Sequence, residues 1–274
     1  MEQTIEAFFF EPQELSALAA KHADSYRSAS PFPHVVIDNF LPEDVAQRVL
    51  DEFPSPTDPE WLRWKLRTER KLQTTAEQGI GPFTRQVLNQ FNASAMIDFV
   101  EALTGIEHLV PDPHYVGGGL HQIERGGFLK VHADFNRHPR LELERRLNLL
   151  LYLNRDWRDE YGGHLELWDR EMTAPVHRIA PIFNRCVIFN TTSFAYHGHP
   201  EPLQCPEGMT RKSMALYYYS SSRPPEEVVD AHTTLFQRRP GETHLTNRES
   251  LKQVLKQFVP PIVMDAARRR RPNE

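Results

Sequence analysis

The stretch Phe128-Leu129-Lys130-Val131-His132-Ala133-Asp134 is a short β-like run that ends on two metal-capable side chains. Similar runs surround it: Val116–Ile123, Leu147–Leu153, His164–Trp168, Ala174–Ile179, Cys186–Phe189 and Ser213–Tyr219. Gly, Pro, Asn and Asp divide them, and no helical pattern alternates with them. A sandwich or barrel is therefore expected rather than βαβ units. Residues two apart share one strand face, so His132 and Asp134 project together while Ala133 packs behind.

Upstream, the stretch from Pro12 to Tyr26 places Leu15, Leu18 and Ala19 on one helical face. Val35-Val36-Ile37 reads as a short buried strand. A helix follows, with Pro42 at its first position, Glu43 and Asp44 in its first turn, and prolines 54, 56 and 59 ending it. Between Phe83 and Leu103, residues such as Val87, Phe91, Phe99 and Val100 supply the packed face of one or two further helices. Downstream, a helix is expected from Asn247 to about Phe258, before a basic tetrad, Arg268–Arg271, that reads as a solvated end. The fold class is mainly β with helical support (α+β). A helical region occupies 1–114, a β core 115–222 and a C-terminal extension 223–274.

Composition narrows the function. The 274 residues are 39% hydrophobic and 25% charged, which suits a soluble globular protein. Lys and Arg number 32 against 37 Asp and Glu, a net charge of −5, so no nucleic-acid partner is expected. No stretch nears the roughly 20 apolar residues needed to cross a bilayer. The acidic start, Met1 to Glu6, lacks the positive charge of a secretory signal. Two cysteines, Cys186 and Cys205, cannot form a disulfide framework. The expected setting is cytoplasmic, with no membrane partner.

His197 closes the segment Phe194-Ala195-Tyr196 and can join His132 and Asp134 as a third metal ligand. Two histidines and one carboxylate leave open positions on a non-haem Fe(II) ion. The competing reading of His132 and Asp134 is a buried hydrogen-bonded pair. Arg211 and Ser213 share one face of the last run, offering a planar fork and a hydroxyl to a single carboxylate. Deep in a sandwich, such an arginine needs an anion to offset its desolvation.

These pieces occur in a specific order. His132-Ala133-Asp134 is followed by Leu149-Leu150-Leu151-Tyr152-Leu153-Asn154 with Asp156-Trp157, by Gly162-Gly163-His164-Leu165-Glu166-Leu167, by His197 and by Arg211-Lys212-Ser213. Over residues 115–220 the set resembles the prolyl-4-hydroxylase-like branch of the Fe(II)/2-oxoglutarate oxygenases. The resemblance implies a double-stranded β-helix, or jelly roll. It also implies Fe(II) on His132, Asp134 and His197, and 2-oxoglutarate as co-substrate, its distal carboxylate held by Arg211 and Tyr152 beside Ser213. The implied reaction consumes molecular oxygen, releases succinate and CO2, and hydroxylates an unactivated C–H bond of a small molecule, peptide or amino-acid side chain. Ascorbate would be a supporting reductant in vitro. Asp134 favours hydroxylation over halogenation, because related halogenases generally lack that carboxylate.

Gln122 stands where some relatives carry a further co-substrate-contacting tyrosine, and Arg137 follows the metal motif. Both are candidates for substrate contact. The insertion Glu201–Gly208 lengthens the His197-to-Arg211 interval, which argues against carrying over a protein-prolyl substrate. His121, His164, His177 and His199 are further polar groups for the pocket, with His199 the nearest competitor to His197 as a ligand. Two other readings stay open: a cupin-like metalloenzyme that does not use 2-oxoglutarate, and a jelly-roll module that binds metal without turnover. The segment Tyr219–Pro240 and the C-terminal helix can cover a sheet edge or build a homodimer.

Overall fold

Four helices precede most of the sheet: α1 (Pro12–Arg27), α2 (Glu43–Asp51), α3 (Pro82–Phe91) and α4 (Ser94–Thr104). The computed structural model describes residues 9–74 and 79–242, so the expected Asn247–Phe258 helix and the Arg268–Arg271 tetrad lie outside the described residues. Pro42 takes the cap position of α2, one residue earlier than the sequence suggests. The asparagine turn Asn92-Ala93 separates α3 from α4, and Gly105, in the left-handed region at φ 74°, ends α4.

The short runs become antiparallel strands. Those ahead of the metal motif are β1 (His34–Ile37), β2 (Leu62–Lys65), β3 (Glu69–Gln73), β4 (Val110–Pro111) and β5 (Gly119–Glu124). The motif strand β6 (Phe128–Ala133) leads to β7 (Glu144–Tyr152), β8 (Leu165–Trp168), β9 (Pro175–Ile179) and β10 (Arg185–Asn190). Last come β11 (His197–His199), β12 (Thr210–Ser220) and β13 (Leu235–Phe236). They join in the order β1-β10-β7-β12-β5-β3-β6-β11-β8-β9, a sheet that curls into a double-stranded β-helix.

Period-two alternation sorts the two faces. Leu147, Leu149 and Leu151 of β7 join Cys186, Ile188, Met214 and Tyr218 in one buried cluster with the helical residues Val87, Phe91, Met96 and Phe99. The opposite face turns Tyr152, Val187 and Phe189 inward toward Leu165 and Leu167. The helices thus brace one side of the sheet and leave the other to line a chamber.

Two features are not legible in the sequence. β2 and β3 form a hairpin whose residues Leu72 and Gln73 pair with Gln122 and His121 of β5. Farther on, the segment after β12 folds back, and β13 pairs Leu235 with Ala133 and Phe236 with His132. Of the two roles open for Tyr219–Pro240, covering a sheet edge is the one its described residues perform. The chain divides into two units, Met1–Arg239 and Pro240–Glu274, and every strand named above belongs to the first. No helix among the described residues is long and apolar enough to cross a membrane.

Candidate active site

β6 and β11 lie side by side, with His197 directly opposite His132. Their ring centroids are 4.5 Å apart. Each imidazole is oriented by its own strand: Nδ1 of His132 is 2.8 Å from the carbonyl oxygen of Lys130, and Nδ1 of His197 is 2.9 Å from that of Ala195. This leaves both Nε2 atoms facing Asp134, at 3.6 Å for His132 and 3.4 Å for His197. The three ligand atoms lie within 4.8 Å of one another, the one such group of metal-capable residues among the described residues. His199 is not part of it.

The protonation states suit a metal. Burial pulls the His197 pKa down to about 4, only partly opposed by Asp134, so the ring presents a lone pair at neutral pH. Burial alone would raise the Asp134 carboxyl, but the charges of Arg145 and His197 and the contact with His132 hold it well below the usual carboxylate range. Two imidazole donors and an anionic carboxylate fit a divalent, non-haem Fe(II)-type ion.

Two side chains that the sequence does not assign to the site hold Asp134 from behind. The Asn148 amide donates to its Oδ2 at 2.7 Å, and an Nη of Arg145 lies 3.1 Å from the same oxygen. Arg145 is 1% exposed and sandwiched between rings, its guanidinium carbon 3.5 Å from the Tyr217 centroid and 4.4 Å from that of Phe135. It also donates to Asn148 Oδ1 through Nε and Nη2. Counting by twos from Tyr152 would put Arg146 on this face. A bulge opposite Tyr218 and Tyr219 shifts the register, so Arg145, not Arg146, pairs with Tyr219 and enters the chamber.

Beyond the triad, β12 supplies the other end of the chamber. Arg211 is buried, donates through Nε to the carbonyl of Gly163 at 2.8 Å and through Nη2 to the Tyr152 hydroxyl at 3.3 Å. Ser213 sits between Tyr152 on β7 and His121 on β5 in the ladder. No carboxylate lies within ion-pair range of Arg211 among the described residues. Burial pulls the Arg211 pKa down, with Tyr152 opposing, which is the signature of a guanidinium short of anionic partners. Gly163 makes the approach possible. A Cβ there would come within 2.5 Å of Leu203 and 3.0 Å of the Arg211 side chain, and its φ of +72° is one that a side chain resists.

The remaining candidates go elsewhere. Gln122 lies on the opposite face of β5 from His121 and Ile123, opposite Lys212, and its amide donates to Thr210 Oγ1 at 2.8 Å. Strand alternation therefore turns it away from the chamber, a correction to its place among the substrate contacts. Arg137 is likewise not brought in: it donates to the Glu142 carbonyl at 3.1 Å and lies 3.8 Å from its carboxylate, closing its own loop. His164 is 2.7 Å from Asp159, and His177 is 2.9 Å from the Ser30 carbonyl on the outer strand β9. His121 does face the chamber, with burial and Lys71 holding its pKa down to about 3.

With a facial triad at one end and an unmatched arginine at the other, the match to known proteins is informative. Residues 118–219 fit the model of the 2OG-Fe(II) oxygenase superfamily. The matched segment runs from the start of β5 to the end of β12 and so contains all three metal-capable residues and Arg211. Among curated proteins, prolyl 3-hydroxylase OGFOD1 of Mus musculus is 28% identical over 205 residues. That match covers 71% of this chain but 34% of the relative, so the chain spans about a third of the length of the curated protein it matches. In fold, the chain resembles a Pseudomonas putida prolyl-4-hydroxylase, with a TM-score of 0.53 and 18% identity over 74% of this chain and 99% of that one. A prolyl hydroxylase from Trichoplax adhaerens, solved with a hypoxia inducible factor peptide fragment, gives a TM-score of 0.55 and 18% identity over 76% and 91% of the two chains. The β core therefore shares its fold with these two structures.

Proposed function

We propose that this chain is an Fe(II)- and 2-oxoglutarate-dependent oxygenase that hydroxylates an unactivated C–H bond of a peptide, with prolyl side chains as the substrate class. One observation carries the reaction: a two-histidine, one-carboxylate donor set shares a chamber with Arg211, a buried guanidinium without a carboxylate partner among the described residues. A metal chelator that also bears a distal carboxylate satisfies both ends. The peptide class is supported by the prolyl hydroxylases among the proteins it resembles. The insertion at 201–208 is compatible with it, because Leu203 and Cys205 are buried with Ile123 and Trp157 at the Arg211 end of the core.

In this reading His132, Asp134 and His197 hold the metal, which when bound would activate oxygen and chelate the 2-oxo acid. Asn148 and Arg145 orient the Asp134 carboxylate and keep it ionised. Arg211, with its Nε fixed on Gly163, presents its fork to the distal carboxylate, and the Tyr152 and Ser213 hydroxyls flank it. Phe135, Tyr217 and Phe236 supply ring surfaces beside the metal end and exclude water there.

The test is stoichiometric. Purified protein with Fe(II) and oxygen should convert 2-oxoglutarate to succinate, and proline-containing peptides should stimulate this and gain one oxygen atom by mass spectrometry. Stimulation by free amino acids alone would move the substrate to small molecules. Metal and 2-oxoglutarate binding with no succinate under any condition would overturn the enzyme reading in favour of a binding module.

A further inference from the structure

His199 is buried in the chamber at 4% exposure, and neither of its ring nitrogens has a hydrogen-bond partner among the described residues. Its neighbour on the strand shows what a fixed histidine looks like: His197 ties Nδ1 to Ala195 and turns Nε2 to Asp134. His199 has neither contact and stands outside the metal-capable group. Buried polar groups in folded proteins almost always find partners, and an orphan carries the full desolvation penalty of its atoms.

Its surroundings say what the missing partner is. Gly198 pairs with Glu166 on β8, so His199 continues along that strand toward Gly163, whose carbonyl accepts from Arg211. The charges that bear on His199 are those of Arg211, Lys71, His132 and His121, all cationic or potentially so. Lys71 is already paired, 3.0 Å from Glu69. Arg211 has no acid beside it among the described residues. The pairing of β11 with β6 is irregular between His197 and His199, where two steps along β11 oppose three along β6, and only the first of the two rings joins the triad. An orphaned imidazole beside an arginine short of an anion calls for one acceptor that serves both.

We infer that His199 donates a ring N–H to the distal carboxylate of 2-oxoglutarate, beside the Arg211 fork and the Tyr152 and Ser213 hydroxyls. The inference rests on the 2-oxoglutarate reading above. An ionised carboxylate offers about four lone-pair sites, and these four side chains supply donors for them. The Tyr152 hydroxyl already accepts from Arg211, so its own hydrogen remains to donate. His199 thereby becomes a specificity residue for the length and charge of the co-substrate.

The experiment uses the full chain loaded anaerobically with Mn(II), a redox-quiet stand-in for Fe(II). Two ligands are titrated by calorimetry: 2-oxoglutarate, and oxalate, which chelates metal but has no distal carboxylate. His199→Val should weaken 2-oxoglutarate binding about 10-fold, equivalent to about 1.4 kcal/mol. Oxalate and Mn(II) affinities should stay near wild type, and His199→Gln should recover part of the loss. Equal losses for both ligands would assign His199 a general structural role and overturn the inference, as would unchanged 2-oxoglutarate affinity. Should the valine variant fail to fold, the glutamine variant answers through the same ratio: a smaller loss confined to 2-oxoglutarate supports the inference, and parallel losses or none overturn it. Wild-type protein that binds oxalate and Mn(II) but not 2-oxoglutarate would overturn the underlying function, a result distinct from the rest.

Discussion

Asp134 carries more of the site than its single carboxylate suggests. Its Oδ2 accepts from Asn148 at 2.7 Å and faces Arg145 at 3.1 Å. Partners that orient a metal ligand typically change affinity about 10–100-fold when removed. Asn148→Ala should therefore weaken Fe(II) or Mn(II) binding by at least about 10-fold with the triad intact; metal titration that matches wild type would refute the orienting role. At the other end, Arg211→Lys keeps a positive charge but loses the planar fork. It should cut 2-oxoglutarate affinity by at least about 10-fold while metal binding stays intact, and equal 2-oxoglutarate affinity would remove Arg211 as the anchor. At this scale the sequence is legible wherever strands are regular. Period two alone places His132 with Asp134, and Arg211 with Ser213. It misplaces Arg145, because the bulge at Tyr218 and Tyr219 swaps its face with that of Arg146, and no residue in the run announces the bulge.

β11 is a short strand of three residues, yet it sets the spacing between the two metal histidines. Its middle residue cannot be enlarged. A Cβ on Gly198 would lie 2.9 Å from the carbonyl oxygens of both Leu129 and Lys130, backbone atoms of β6 that cannot swing aside. Gly198→Ala should push β11 from β6, cost about 1–3 kcal/mol of stability and weaken metal binding. A variant with wild-type denaturation midpoint and metal affinity would show that the two strands tolerate separation. The β2–β3 hairpin illustrates the opposite limit of legibility. Leu62-Arg63-Trp64-Lys65 and Glu69-Arg70-Lys71-Leu72-Gln73 carry too many charges to read as an apolar alternation. The charges are present because Glu69 and Lys71 pair with each other while Leu72 alone enters the main core. Helices α1, α3 and α4 are plain in the sequence, since each buries a continuous stripe against the sheet.

At the scale of the whole molecule, metal binding and folding are linked, because the triad is assembled only when β6 and β11 are paired. An ion present at about 100 times its Kd stabilises the native state by about 2.7 kcal/mol, roughly 5–10 °C in Tm for a chain of this size. Mn(II) added anaerobically should raise the wild-type Tm by that order, and His132→Ala should lack the rise; equal shifts in both proteins would place the ion elsewhere. The buried Arg223 helps to lock the return segment, donating to the Arg145 carbonyl at 2.6 Å and to Glu144 at 3.0 Å. Past it, Phe236 lays its ring 5.5 Å from that of His132 and pairs with it across the strand edge. That return has a consequence for birth rather than for turnover. His132 leaves the ribosome 104 residues ahead of its edge partner, an interval of roughly 5–20 s at ordinary synthesis rates. Throughout it the nascent metal strand exposes an unsatisfied ladder edge, so the chain needs shelter from neighbouring nascent chains until Phe236 emerges.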